Sequence, residues 1–339
     1  MAQRCRWKIA RRKACGAAPS RVRTAISVLG ILAIGAMLLP SQPAVAYVRP
    51  VEYRWPSQAI RLHAQRHPER TQVYLLSCVS FLTAKLIQPA LVACNHAVDS
   101  APRSALALKL RGSIFLVEGE LERARVDFSL AIASRPTDSE AHDLRGRALA
   151  ALDRYPEALA DLDEAVRLDP RNTDALEDRG SVHQLARNFD AAIGDFTASI
   201  SIDPHDAMAW NGRCWVRMLA NKDIAAALAD CHRALKLAPG RDDILDSLGW
   251  VYLRLGRMQL AIGDFDAALA RTPTLASSLF GRGVARLRVG AVRAGWADIK
   301  LAKDIQPGIA ARFRSYGIVP VARPPLPVPK SRPTTEQAS

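Results

Sequence analysis

Patterns that carry catalytic chemistry are scarce in this sequence. No glycine-rich phosphate loop stands out, and the seven histidines, His63, His67, His96, His142, His183, His205 and His232, are scattered along the chain. They support neither a Ser-His-Asp arrangement nor a four-ligand zinc cluster around His96 or His232. Paired carboxylates such as Asp242-Asp243 read as charges at a helix start. These absences argue against an enzyme and against a metal or cofactor. Acid is also missing from residues 1–46, which carry eight basic side chains. Residues 310–339 carry five basic groups and one acid. The net charge of +14 therefore resides mainly in the two ends, and residues 47–309 balance 34 basic against 32 acidic groups. A chain whose body is near neutral has no nucleic-acid footprint.

What the first 46 residues do contain is an address. A basic stretch is followed by the uncharged apolar run Ala25–Leu39 and then by Pro40-Ser41-Gln42-Pro43-Ala44-Val45-Ala46. That order matches a secretory signal, with Ala44 and Ala46 as the small residues before the cut. The run falls short of the ~20 residues that span a bilayer, so cleavage before Tyr47 is expected, with no stable membrane insertion afterwards. An uncleaved anchor to the inner membrane through residues 25–39 is the alternative. No cysteine follows the run where a lipoprotein needs one, and Arg11-Arg12 lies too far from it for twin-arginine export.

Proline recurs at Pro68, Pro102, Pro136, Pro170, Pro204, Pro239, Pro273 and Pro307, every 34 residues with a single step of 35. Between the prolines each segment reads as two helices. In 242–275 the first carries Leu245, Leu248, Gly249 and Tyr252 on one stripe, and the second carries Ala261, Phe265 and Ala268. Segment 105–138 repeats the scheme with Leu108, Gly112, Phe115, Ala124, Phe128 and Ala131, and 173–206 with Leu176, Gly180, Ala192 and Phe196. The period and these columns resemble the tetratricopeptide repeat family. The resemblance implies an all-α, right-handed superhelical solenoid of about seven helix-turn-helix repeats, at 71–104, 105–138, 139–172, 173–206, 207–241, 242–275 and 276–309. Capping helices are expected at 47–70 and 310–319, a secretory signal at 1–46, and a Pro-rich disordered tail at 320–339. The one-residue insertion is placed in the turn around Asn221-Lys222-Asp223.

Two pairs of columns stand out. Cys78 and Cys94 occupy the Gly column and the second-helix aromatic column of their repeat, and Cys214 and Cys231 occupy the same two columns of theirs. Because those columns face each other, two disulfides are expected in an exported chain, the alternative being four buried thiols. Arg111, Arg145, Arg179, Arg213 and Arg282 precede the Gly/Cys column, and Asp127, Asp161, Asp195, Asp230 and Asp298 follow 16 or 17 residues later. A ladder of partly buried, structural Arg–Asp contacts is expected, which repeat 242–275 breaks by placing Leu248 opposite Asp264.

In proteins the chain resembles, first-helix residues beside the core stripe line a concave groove that holds peptides. Here those positions begin charged or polar, with Glu140, Asp143, Arg147, Asp174, Glu177 and Gln184. They then turn apolar, with Met208, Asn211, Trp215, Met218, Trp250, Leu253, Phe280 and Leu287. The expectation is a partner-binding groove there, with Asn211 holding a peptide backbone. Packing of Trp215 and Trp250 against adjacent repeats is the alternative. The reading as a whole is a non-catalytic adaptor of a bacterial envelope, periplasmic or secreted, that binds a protein or peptide. The alternatives are a membrane-anchored assembly factor, or an accessory subunit regulating a cell-wall enzyme or secretion complex.

Overall fold

The structure, a computed structural model, describes residues 68–321. The expected signal segment, nearly all of the expected N-terminal cap and nearly all of the Pro-rich tail lie outside the described residues. Regular structure among the described residues is entirely helical. The helices are α1 (Pro68–Thr83), α2 (Ile87–Ser100), α3 (Ala105–Glu118), α4 (Leu121–Ser134), α5 (Ser139–Ala151), α6 (Tyr155–Leu168), α7 (Thr173–Leu185), α8 (Phe189–Ile202), α9 (Ala207–Ala220), α10 (Ile224–Leu237), α11 (Asp242–Arg254), α12 (Met258–Arg271), α13 (Ala276–Arg288), α14 (Val292–Ile305) and α15 (Ile309–Arg314).

The proline ladder explains where these helices stop and restart. Each second helix from α2 to α14 ends two residues before a ladder proline, because the ring removes a donor and restricts the residue ahead of it. Two residues beyond the proline, Ser104, Asp138 and Asn172 cap α3, α5 and α7, each accepting a hydrogen bond from the backbone N–H three residues on. Between the helices of a pair the chain turns through one left-handed residue, Gly119 (φ 80°), Gly256 (φ 74°) or Gly290 (φ 88°) in three repeats. The turn between α9 and α10 has two, Asn221 and Asp223.

The described residues form two units, 68–216 and 217–321. In the first, α1 packs on α2, α3 on α4, α5 on α6 and α7 on α8, and each pair packs on the next. Its core is a series of small clusters, one per repeat: Ala90 with Ile114, Phe115 with Ala124 and Phe128, Leu149 with Ala158 and Leu162, and Ala192 with Phe196 and Val216. In the second, α10 packs on α11, α11 on α12, α12 on α13 and α13 on α14, and α15 closes against α13 and α14. Here the core is aromatic: the Trp250 ring stacks on Phe313 at 4.1 Å and meets Phe265 edge-on at 5.4 Å, and Phe280 stacks on Phe313 at 5.3 Å.

Candidate functional site

The glycine column sets how closely paired helices approach. A Cβ at Gly112 would lie 2.6 Å from the Phe128 ring, and one at Gly249 2.7 Å from the Phe265 ring. Gly146 faces Leu162, Gly180 faces Phe196 and Gly283 faces Ile299 in the same way. In the first repeat this contact is covalent. Cys78 and Cys94 are joined as a disulfide, with their Cα atoms 5.2 Å apart, within the range such a bridge needs. Cys214 and Cys231 are each disulfide-bonded as well, and both are fully buried.

Beside that column runs a row of guanidiniums. Arg111 holds Asp127 through Nε and Nη2, both at 2.8 Å, and Arg145 holds Asp161 through the same two nitrogens at 2.6 Å. Arg179 with Asp195 and Arg282 with Asp298 repeat the fork. The aspartates are buried, and the arginines' pKa values are raised by the hydrogen bond to the carboxylate in three of the four pairs, Arg145, Arg179 and Arg282. Asp230 accepts from Arg217 at 2.5 Å, and Arg213 donates to Thr197 at 3.1 Å.

Each of these arginines has a further arm. The Nη1 of Arg111 donates to Asn95, that of Arg145 to Ser129, that of Arg179 to Asp163 and that of Arg282 to Asp266. Thr197 is the corresponding acceptor for Arg213. Every acceptor lies 16 residues earlier, on the second helix of the preceding repeat. One side chain thus ties its own pair of helices together and fastens it to the pair before.

Repeat 242–275 lacks this bridge. Leu248 replaces the arginine, the Oδ2 of Asp264 is buried without a hydrogen-bond partner, and burial pushes the Asp264 carboxyl up to about 6. A second displaced carboxyl lies under Trp250. Burial raises Asp246 to about 6, while Ser278 (2.6 Å) and Ser277 (2.8 Å) donate to it. Trp250 Nε1 in turn donates to Ser277.

The apolar positions expected to line a groove separate into two groups. Trp250, Leu253, Phe280, Leu287 and Met218 are fully buried, which corrects that expectation for all five. The reason is packing: Phe313 of α15 covers Trp250 and Phe280, and Leu287 lies against Gly295 of α14. Trp215 shares the column of Trp250 but is partly exposed, as is Met208. Asn211 between them is 8% exposed, and its Oδ1 has no hydrogen-bond partner among the described residues. The charged first-helix positions upstream are paired with one another. Lys109 bonds both Asp138 (2.9 Å) and Glu140 (2.6 Å), Arg147 meets Asp178 at 3.3 Å, and Glu177 accepts from Ser199. The third arm of each arginine is a set of contacts that sequence reasoning left unspecified.

A family model described as a tetratricopeptide repeat matches residues 144–207 and 217–276. No curated protein matches the chain. Among solved structures, the anaphase-promoting-complex hetero-tetramer Cut9-Hcn1 is similar with a TM-score of 0.61 at 18% identity, over 74% of this chain. The chain spans about half, 49%, of that molecule. A tetratricopeptide repeat protein from Parabacteroides merdae is similar over 74% of this chain and 100% of its own length, with a TM-score of 0.59 and 16% identity. PilW, a type IV pilus biogenesis factor, is similar over 61% of this chain and 96% of its own, with a TM-score of 0.56 and 19% identity.

Proposed function

From the premise that this chain belongs to the tetratricopeptide repeat family, we propose that it is a non-catalytic adaptor of a bacterial cell envelope that seats a segment of a partner protein on the exposed face of α9. The observation that carries this reading is Asn211. A carboxamide oxygen withdrawn from water without a partner costs about 1–3 kcal/mol, and a backbone N–H of a bound segment would satisfy it. Met208 and Trp215 flank it at helical spacing on the same partly open face, and such side chains dominate binding energy at interfaces. Rigid presentation of this face by stacked repeats is the mechanism.

The location rests on residues 1–46. The basic stretch, apolar run and Ala-Val-Ala end support export, and the match in fold to a pilus biogenesis factor is compatible with an envelope role. The length of the apolar run keeps one other reading in play, an assembly factor anchored through residues 25–39. N-terminal sequencing of the protein from cells separates the two: a start at Tyr47 supports the released adaptor, and an intact leader supports the anchored one.

Crosslinking in cells followed by mass spectrometry tests the binding face. Asn211→Ala and Trp215→Ala should each remove the same partner from the crosslinked set while the helical signal stays unchanged. An identical set for wild type and both variants would show that α9 is the wrong surface.

A further inference from the structure

Two arginines in the last repeats are placed unlike the others. Arg254 is the final residue of α11 and Arg288 the final residue of α13, two first helices that pack on one another. They hold one column of the repeat, which earlier repeats fill with Thr83, Val117, Ala151, Leu185 and Leu219. Both are half-buried. Arg254 Nη2 donates to the carbonyl of Tyr316 at 2.6 Å, whereas its Nε is shut away from water with no acceptor. Arg288 has no hydrogen bond or ion pair with any described residue. Burial lowers the pKa of both guanidiniums, and the charge of Arg288 lowers Arg254 further.

This chain elsewhere gives its half-buried ladder arginines a carboxylate or another acceptor, as at Arg145 and Arg282. Here two like charges are brought together with no acid between them. The negative ends of α11 and α13 offset part of that repulsion. They do not supply an acceptor for the buried Nε–H of Arg254. The same helix ends also select among ligands, because carbonyl oxygens close by tolerate a single negative charge better than the double charge of a phosphate. A planar, singly charged group also matches the guanidinium fork.

We propose that Arg254 and Arg288 together form a receptor for a carboxylate carried by a bound peptide segment, either its chain end or an acidic side chain. Only the source of that carboxylate rests on the partner-binding reading above. Occupation would neutralise the pair and give the buried Nε–H an acceptor.

The test uses the full chain and follows the thermal midpoint at constant ionic strength during titration with N-acetylalanine, which mimics a chain end, and with N-acetylglutamic acid α-amide, which mimics an acidic side chain. N-acetylalanine amide is the neutral control. A saturable rise in midpoint is expected with one or both carboxylates and not with the amide, and the tighter of the two identifies the source. Arg288→Gln should weaken that response about tenfold or more, the loss of one charge-assisted hydrogen bond. Arg288→Lys, which keeps the charge but not the fork, should fall between and guards against a variant that does not fold. An equal response in wild type and Arg288→Gln, an equal response to the amide, or tighter binding of inorganic phosphate would each overturn the proposal. Because the probes are small molecules, this result stands apart from the α9 crosslinking result.

Discussion

Leu248 occupies the column from which arginine holds the buried aspartate in the neighbouring repeats, and Asp264 is the aspartate it leaves without a partner. The consequence is a pH dependence with a defined sign. The Asp264 carboxyl is raised to about 6 by burial from an ordinary value of 3.8. Its proton is therefore held more tightly folded than unfolded, so stability from this group is present below about pH 4 and is lost as pH rises through 6. Asp246, also raised to about 6, acts in the same window. Asp264→Asn should be more stable than wild type in urea denaturation at pH 7.5, and the advantage should vanish by pH 4.

Leu248→Arg should restore the missing bridge. Stabilisation of about 1–2 kcal/mol at pH 7.5 is expected from a charge-assisted pair formed on a carboxylate that is already buried. The pH dependence assigned to Asp264 should disappear in the same variant. An unchanged pH profile would mean that the new guanidinium does not reach Asp264.

The two acids on Arg179 should contribute unequally. Asp195 has a side chain 8% exposed, and Asp163 one 63% exposed. Double-mutant cycles with Arg179→Met should therefore give a coupling of about 2–3 kcal/mol to Asp195 but under about 1 kcal/mol to Asp163, where solvent screens the pair. Comparable couplings would show that the reach to the preceding repeat matters as much as the fork.

Trp250 is a core residue, and its removal should be read as a stability change. Trp250→Ala should cost about 3–5 kcal/mol in denaturation. Trp215→Ala on the exposed column should cost far less. Any change of partners in the Trp250 variant would then follow unfolding, which a melting curve taken in parallel would reveal.

The column equivalence of the first repeat predicts a non-covalent substitute for its bridge. The Cys78→Gly, Cys94→Phe double variant should fold and lose the sensitivity of its midpoint to reducing agent, since Gly112 and Phe128 make the corresponding contact next door. Alkylation without reductant should label neither Cys78 nor Cys94 in the wild-type chain.

The helix ends were readable because proline acts locally: each one stops a helix whatever surrounds it, as Pro136 does between α4 and α5. The Arg145–Asp161 register was readable because both residue types recur at one spacing. The third arm was not, because its acceptors are Asn95, Ser129, Asp163, Thr197 and Asp266, which share a position and a polarity but no identity. Burial of Trp250 was hidden for a different reason. It depends on Phe313 of α15, an element outside the repeat pattern, whereas Trp215 in the same column receives no such cover.

Where an arginine at position 248 would reach back to His232 on α10, the structure has His232 Nε2 3.2 Å from the Tyr252 hydroxyl. A neutral hydrogen bond between two exposed groups resists separation far less than a guanidinium clamped at both ends. Stretched or heated, the chain has a fracture line here, and α10 should peel from α11 and α12 before α12 releases α13.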